Sequence, residues 1–249
     1  MRKTVVVTGG NKGIGRAITE SFVMAGYHVV IGSRTRDGLT NVDPAHCSHV
    51  VMDVRDEAAH LLLCERAVEV GGGLHAYVNN AGVSAWRPID KIDDTFFDKL
   101  MAINLKGAFW GCKAAAATME KTGGVIINIS SMAAKRGSAN NAVYCATKFG
   151  VNGLTQSLCK ELGRKQIRVN ALCPVLVETE GLLQALSAEH APGALGVKQF
   201  LEKFKDANSA LGRLPSAADV GEMAVFLSSS AASGITGQCI NVDCGVFPQ

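Results

Sequence analysis

Short apolar runs, rich in β-branched residues, recur along the chain and alternate with longer segments of helical periodicity. Continuous apolar runs of this length are typical of strands that are buried on both faces. The pattern therefore predicts seven buried strands. They fall at residues 4–8, 28–33, 49–54, 74–80, 124–130, 167–173 and 238–243.

The segments between these runs repeat their apolar residues at helical spacing, as do Leu154, Leu158 and Leu162 after the fifth run. Strands that alternate with helices form a parallel sheet with helices on both faces. We therefore predict an α/β fold, a Rossmann-type doubly wound three-layer sandwich with a seven-stranded parallel sheet. A chain of 249 residues fits one such domain, over residues 1–249.

The least regular segment is 175–215, where Pro192, Gly193 and Gly196 separate two short amphipathic pieces. A long insertion near the end of an α/β sheet is a common place for a substrate lid. We expect a lid at 175–215. The alternative is a surface excursion that packs on the sheet.

Composition and charge narrow the class of protein. Hydrophobic residues make up 47% and charged residues 19%, which is typical of a compact enzyme. The net charge of +3 is small and the basic residues are scattered, so we expect neither a nucleic-acid nor a membrane partner. The eight cysteines lack CxxC or metal-ligand spacing, which predicts reduced thiols and no metal site. No signal-like or membrane-length apolar run appears, and we predict a cytoplasmic protein.

The first predicted strand leads directly into TGGNKGIG, Thr8 to Gly15, and then into a predicted helix. Glycines let the backbone turn tightly and approach a pyrophosphate, and the helix amino terminus offers free N–H groups to the anion. Strand, glycine loop and helix in this order predict a dinucleotide-binding site. The predicted contacts in the loop are Gly9, Asn11, Lys12, Gly13, Ile14 and Gly15.

The residues at the end of the second strand predict which cofactor binds. An NAD enzyme of this design has an acidic residue there, whereas this chain has Ser33 and Arg34, with Lys12 nearby in the loop. Positive charge at this place favours NADP(H) over NAD(H). Further cofactor contacts are expected where the third and fourth strands end, because ligands of open α/β sheets bind at the carboxyl ends of strands. These are Asp53, Val54, Asn80, Ala81 and Gly82, with Asp53 placed to accept a hydrogen bond from the adenine amino group.

With TGGNKGIG, Asp53, NNAG, Asn104, Ser131 and YCATK in this order, the sequence resembles the short-chain dehydrogenase/reductase family over essentially its whole length. Tyr144 follows Ser131 by thirteen residues and precedes Lys148 by four, as the family requires. The resemblance implies a homotetramer. It also implies that Pro174 and Thr179 contact the nicotinamide end of the cofactor. Two residues depart from the family pattern: Val175 and Cys244 stand where glycines are usual.

The chemistry of these side chains suits carbonyl reduction. Hydride transfer to a ketone builds negative charge on its oxygen, so a proton donor is needed there. Tyr144 is the candidate acid, and Lys148, one helical turn away, is expected to lower its pKa together with the positive oxidised nicotinamide. Ser131 is expected to polarise the substrate oxygen. The resemblance implies that Lys148 also binds the nicotinamide ribose and that Asn104 links it to solvent through ordered water.

The leading hypothesis is an NADP(H)-dependent ketone reductase or diol/polyol dehydrogenase with a small-molecule carbonyl or alcohol substrate. One alternative is a 3-oxoacyl-[acyl-carrier-protein] reductase. Such enzymes commonly carry a basic residue before the fifth strand, where this chain has Gly124, although Lys165 before the sixth would serve. Alternatives of other kinds are a non-catalytic dinucleotide-binding sensor and a nucleotide-sugar epimerase. The glycine spacing and the lack of a large C-terminal domain argue against the epimerase.

Overall fold

A computed structural model describes residues 2–38 and 45–248. Within them, the strands are β1 Thr4–Thr8, β2 His28–Ser33, β3 Cys47–Val51, β4 Ala76–Asn79, β5 Gly124–Ile129, β6 Ile167–Pro174 and β7 Cys239–Val242. The α-helices are α1 Gly13–Met24, α2 Glu57–Gly71, α3 Asp94–Leu100, α4 Gly107–Thr118, α5 Ala142–Leu162, α6 Glu180–Leu186, α7 Val197–Asn208 and α8 Ala217–Ser228.

The strands form one parallel sheet in the order β3-β2-β1-β4-β5-β6-β7. The predicted seven-stranded Rossmann-type fold is confirmed. Strands β1, β2 and β3 follow one another toward one edge of the sheet, and strands β4 to β7 follow one another toward the other edge. The strand order therefore reverses between β1 and β4, and a crevice opens at the carboxyl ends of these two strands, where this type of fold binds its ligands.

Helices cover both faces of the sheet, because successive strand residues point to opposite sides. Val5 and Val7 of β1 pack with Ile18 of α1 and Val220 of α8 on one face. Val6 packs on the other face, against side chains of α2, α4 and α5. All these β1 valines are fully buried. The two apolar layers hold the carboxyl ends of the strands in fixed positions.

The predicted strand β3 is shifted relative to the structure. The apolar run predicts residues 49–54, whereas the strand covers Cys47–Val51. Cys47 and Ser48 pair with Val29 and Val30 of β2, which extends the strand toward its start. The other strands agree with their predicted ranges to within two residues at either end.

The segment 175–215 contains two helices, as its amphipathic pieces predict. Both helices bury leucines, Leu186 from α6 and Leu201 from α7. The rings of Phe200 and Phe204 lie 6.0 Å apart along α7. The segment begins at the carboxyl end of β6, close to the crevice.

Cys244, one of the two departures from the family pattern, adopts a left-handed conformation with φ of 55°. This is the conformation for which glycine is the favoured residue. The carbonyl of Cys244 accepts hydrogen bonds from the backbone N–H of Leu211 and the hydroxyl of Ser209, both at 3.2 Å. The turn after β7 is therefore tied to the segment after α7 despite the replacement of glycine.

Across residues 2–38 and 45–248, the helices include none with the length and apolar character needed to span a bilayer. Within the same ranges, His, Cys, Asp and Glu side chains form no cluster of three or more suited to a metal ion.

Candidate active site

The glycine loop forms a tight backbone cradle at the carboxyl end of β1. Gly9 and Gly13 have φ values of 64° and 53°, which glycine adopts without strain. A Cβ at Gly15 would lie 2.1 Å from the Gly9 carbonyl oxygen, so a side chain is excluded there. Ile14 packs against the core beneath the loop. This geometry fits the close approach of a pyrophosphate to the start of α1.

The NNAG segment is joined directly to this loop. The Asn80 amide donates to the carbonyls of Thr8 at 2.9 Å and Gly9 at 3.2 Å. The backbone N–H groups of Asn80 and Ala81 donate in turn to the Thr8 hydroxyl, at 3.0 and 3.1 Å. The structure thus brings together two predicted cofactor segments that are more than seventy residues apart in the sequence.

Asn11 and Lys12 connect the loop to the segment after β2. The Asn11 amide donates to the carbonyls of Thr35 at 3.3 Å and Asp37 at 3.0 Å. The Lys12 ammonium lies 3.6 Å from the Asp37 carboxylate, on the exposed surface. This carboxylate offsets part of the positive charge that the sequence predicts here, whereas Arg34, directly after β2, is exposed.

Ser33 is less available than predicted. It is only 8% exposed, its hydroxyl donates to the Thr35 carbonyl at 2.7 Å, and its oxygen lies 2.8 Å from Nε2 of His49. A serine hydroxyl carries one proton. Because that proton is already engaged, the hydrogen bonds of Ser33 do not support its predicted contact with a 2′-phosphate.

Asp53 lies just beyond β3 and is held by its neighbour Arg55. The Arg55 guanidinium donates to both carboxylate oxygens, Nε to Oδ1 at 3.0 Å and Nη2 to Oδ2 at 2.7 Å. These hydrogen bonds lower the pKa of Asp53, although partial burial opposes them. A carboxylate has about four acceptor positions, so Asp53 still has room for an adenine amino group.

A buried histidine and tyrosine support the same edge of the site. His60 Nδ1 lies 2.7 Å from the Tyr77 hydroxyl, and His60 Nε2 lies 2.9 Å from the Val54 carbonyl. Both side chains are fully buried. Since Val54 offers only an acceptor, Nε2 carries the proton and Nδ1 accepts from Tyr77. The pair is not among the residues predicted from the sequence, although a polar residue at a core position in each of α2 and β4 was a signal for it.

Lys148 projects from α5 into the interior and is 5% exposed. Its ammonium donates to the Ile129 carbonyl of β5 at 2.8 Å. Burial lowers the pKa of Lys148 to about 8. The side chain is therefore charged at neutral pH and close to losing its proton in mildly alkaline solution.

Tyr144 is half-buried, with the Lys148 ammonium 5.8 Å from its ring centroid. Burial raises the pKa of Tyr144, and a hydrogen bond with Ser131 opposes that rise only in part. Among the protein's own groups desolvation has the largest effect on this pKa, and the Lys148 ammonium is directed at the Ile129 carbonyl. That Lys148 lowers the pKa of this phenol together with the positive oxidised nicotinamide stays a prediction.

Ser131 begins the 3₁₀ turn Met132–Ala134, and its oxygen accepts from the Ala133 N–H at 3.1 Å. This capping bond directs the serine while leaving its proton for another acceptor. Ser131 is also close enough to Tyr144 to lower the pKa of its phenol. The predicted serine and tyrosine are thus brought together.

Asn104 lies in a π-helical turn, Met101–Lys106, that joins α3 to α4. It is 2% exposed, and its amide exchanges two hydrogen bonds with the backbone of Val83, at 2.8 and 2.9 Å. The Asn104 amide nitrogen also lies 3.3 Å from the Thr147 hydroxyl, one residue before Lys148. Turns of this type occur frequently at functional sites.

Gly82 and Thr179 each lie against other residues of the predicted site. A Cβ at Gly82 would lie 3.3 Å from the Asn104 side-chain oxygen and 3.7 Å from the Lys148 ammonium. Thr179 packs over Gly13, since a Cβ there would meet its side chain at 3.4 Å. Pro174 ends β6 on the way to Thr179, and Val175 follows it with a backbone bond to Val242 at 3.4 Å.

The chain is similar over most of its length to a family model and to several known proteins. A family model described as enoyl-(acyl carrier protein) reductase matches residues 9–247. A sorbitol dehydrogenase from Cereibacter sphaeroides is 36% identical, covering 98% of this chain and 96% of its own. A structure described as short-chain dehydrogenase/reductase SDR:glucose/ribitol dehydrogenase, from Brucella melitensis, is 30% identical with a TM-score of 0.89 and full coverage of both chains. An actinorhodin polyketide ketoreductase with NADPH is 28% identical with a TM-score of 0.90, covering 98% and 97%.

Proposed function

The chain belongs to the short-chain dehydrogenase/reductase family of oxidoreductases that act on CH–OH groups, and from this premise we propose that it is an NADP(H)-dependent ketone reductase or diol/polyol dehydrogenase. The observation that carries the proposal is the convergence of Ser131, Tyr144 and Lys148 beside Gly82 of the NNAG segment, which is hydrogen-bonded to the glycine loop. A sensor without turnover has no need of this set.

The bound nicotinamide supplies or accepts the hydride, and the side chains handle the proton. Burial keeps the Tyr144 hydroxyl protonated at neutral pH, so it serves as the acid that delivers a proton to the ketone oxygen. Ser131 holds the same oxygen through its hydroxyl. Lys148, charged below a pKa of about 8, stabilises the phenolate that Tyr144 leaves behind. Asn104 fixes the backbone of Val83 across from Lys148.

The preference for NADP(H) is part of the proposal. It is supported by the exposed guanidinium of Arg34 and by the absence of an acidic residue in the two positions that end β2. The similar polyketide ketoreductase was solved with NADPH. Asp37, three residues after Arg34, pairs with Lys12. Arg34 is therefore the side chain to test.

We propose that 175–215 acts as a lid within a single catalytic domain over 1–249. The helix α6 starts one residue after Thr179, whose side chain covers Gly13 of the cofactor loop. A movement of this segment would therefore open or close both the substrate side and the cofactor side of the crevice.

We also propose a homotetramer. Phe109 of α4 and Phe149 of α5 are 43% and 49% exposed, which suits helices that pack against a second copy. Light scattering on the purified protein tests this, and a monomer at micromolar concentration would contradict it.

The carrier-protein alternative has less support. Lys165, the basic residue that would dock an acidic carrier, pairs with Glu120 at 2.7 Å. The test follows the absorbance of NADPH, with NADH in parallel, against a small diketone or α-hydroxyketone and an acetoacetyl thioester. Consumption with the small ketone supports the proposal. Consumption with the thioester alone would favour the acyl reductase, and no consumption with any ketone would favour the sensor.

A further inference from the structure

A cavity of about 500 Å³ lies between the loop after β4 and the end of α6. Small-molecule sites typically have volumes of roughly 300–1,000 Å³. Its walls combine aromatic rings with charged and imidazole side chains. The larger lining residues are Trp86, Arg87, Lys91, Phe96, Glu189 and His190.

The cavity adjoins the candidate catalytic residues through the loop after β4. Ser84 lines the cavity and lies two residues after Gly82. The Gly82 backbone is beside Lys148, because a Cβ there would lie 3.7 Å from the ammonium. Two residues of chain span at most about 7 Å. The rim of the cavity is therefore within the length of a small substrate from Lys148.

A second connection runs through Asn140, which precedes α5. The Asn140 carbonyl accepts from the Arg87 N–H at 2.6 Å, and its amide donates to the His190 carbonyl at 3.3 Å. Helix α5 starts two residues later and carries Tyr144 in its first turn. The same short segment thus joins both walls of the cavity to the helix that presents the candidate acid.

Arg87 is held in place by contacts that engage only part of its guanidinium. Its Nη1 contacts the Asp93 carboxylate at 3.0 Å and the Lys91 carbonyl at 3.5 Å, and its guanidinium carbon lies 4.3 Å from the Phe96 ring centroid. Within residues 2–38 and 45–248, Nε and Nη2 donate to no protein atom. A guanidinium fixed in this way offers those donors to a ligand without further ordering.

Lys91 adds a second cation. Its ammonium lies 3.4 Å from Nε2 of His190, and in the described part of the chain no carboxylate oxygen comes within 4.0 Å of it. Glu189 also lines the cavity, and its carboxylate lies 3.7 Å from the same His190 Nε2, although the Glu189 side chain is 82% exposed. The Arg87 charge is paired with Asp93, so the cavity is distinguished by its donors, Nε and Nη2 of Arg87 and the Lys91 ammonium, and not by an excess of positive charge.

Resting on the proposed function, we infer that this cavity receives the anionic end, a carboxylate or a phosphate, of a substrate whose carbonyl lies at Tyr144. Lys91 and Arg87 donate hydrogen bonds to the anion, and Trp86 and Phe96 contact the carbon chain. The substrate is then an oxo acid or a phosphorylated ketone, which is the ketone-reductase form of the proposed function.

The experiment compares matched pairs of substrates at low ionic strength. Acetoacetate is paired with its methyl ester, and dihydroxyacetone phosphate with dihydroxyacetone. We expect at least one anion to exceed its neutral partner in kcat/KM by about tenfold, because charge-assisted hydrogen bonds contribute this much. The pair that shows the difference identifies the carboxylate or the phosphate. Added salt should reduce it.

Lys91→Gln tests the assigned group, with Lys99→Gln as the control that removes the same charge from outside the cavity. Lys91→Gln should lower kcat/KM for the anion about tenfold and leave the neutral partner within about twofold. Two results would overturn the inference while the reductase function stands. One is a wild-type kcat/KM that is as high or higher for each neutral compound as for its anionic partner. The other is a Lys91→Gln variant that loses kcat/KM equally for the anion and for its neutral partner. Failure to reduce any of the four would remove the proposed function itself.

Discussion

The Lys148 ammonium donates a hydrogen bond to the Ile129 carbonyl at 2.8 Å, although its family role concerns Tyr144 and the cofactor. A charged lysine that is only 5% exposed costs stability, because it loses most of its hydration. Its place in the interior is therefore explained by function more readily than by the needs of the fold.

Lys148→Met should lose activity and gain stability at pH 7, by about 1–3 kcal/mol in the free energy of unfolding. The pKa of Lys148 is about 8 in the folded protein, against 10.5 for an ordinary lysine. Between these values the unfolded chain binds a proton that the folded protein lacks, so the stability of the wild type rises with pH. Urea denaturation should show the gap between variant and wild type narrowing from pH 8 to pH 10. A gap that stays constant with pH would contradict this account.

Tyr144→Phe should reduce kcat by about 10²–10⁴, because it removes the proton donor and leaves the ring in place. NADPH binding, followed by cofactor fluorescence, should be unchanged. The control is Tyr27→Phe, which alters a tyrosine of the core that packs on Phe22, far along the chain from the site residues. Retention of wild-type turnover by Tyr144→Phe would exclude the tyrosine as the acid.

Arg34→Gln should lower the affinity for NADPH by about 10- to 100-fold, since one charge-assisted hydrogen bond to the 2′-phosphate is lost. The affinity for NADH should change little. Arg66→Gln, which removes an exposed arginine of α2, is the matched control. Equal losses for the two cofactors in Arg34→Gln would show that Arg34 does not read the 2′-phosphate.

Tyr77→Phe should destabilise the protein by about 1–3 kcal/mol, because Nδ1 of the fully buried His60 loses its 2.7 Å partner. Tyr27→Phe again serves as a control, since in the described residues its hydroxyl makes no side-chain hydrogen bond. Equilibrium urea unfolding measures both variants. Equal stability losses in the two would show that the bond to His60 contributes nothing particular.

Cys244→Gly should stabilise the protein by about 1 kcal/mol, because a side chain at φ of 55° is strained and glycine is not. The gain is expected to be largest in the turn after β7, and thermal unfolding would detect it as a higher Tm. A lower Tm would mean that packing of the Cys244 side chain outweighs the strain.

Most of the fold follows from the sequence because both kinds of element are marked by periodicity. The run TVVVT predicts β1, and the helix and glycines after it predict the cradle. The end of β3 is harder to predict. Val54 continues the apolar run in the sequence, whereas the strand ends at Val51 and the Val54 carbonyl accepts a hydrogen bond from His60. Such a bond joins residues that are brought together by folding and leaves no mark in a local pattern.

The candidate site is likewise predictable in its residue spacing but not in the contacts that form on folding. The spacing of Ser131, Tyr144 and Lys148 identifies the group, but whether burial or a neighbouring charge controls the pKa of Tyr144 depends on three-dimensional packing. Ser33 and Lys12 illustrate the limit further. Their hydrogen-bond partners, Thr35 and Asp37, stand a few residues away, and sequence alone does not tell which polar neighbour a side chain will choose.

The π-helical turn Met101–Lys106 has a consequence for the engineering of this chain. A turn of this kind contains one residue more than an α-helical path, and one residue corresponds to a rotation of about 100°. The side chains of α4 are therefore rotated by this angle relative to those of α3, although the two helices and the turn form one continuous helical segment. Deleting a single residue from the turn would restore the phase, and it would swing Asn104 away from Val83 while every side chain of the site remained in the sequence.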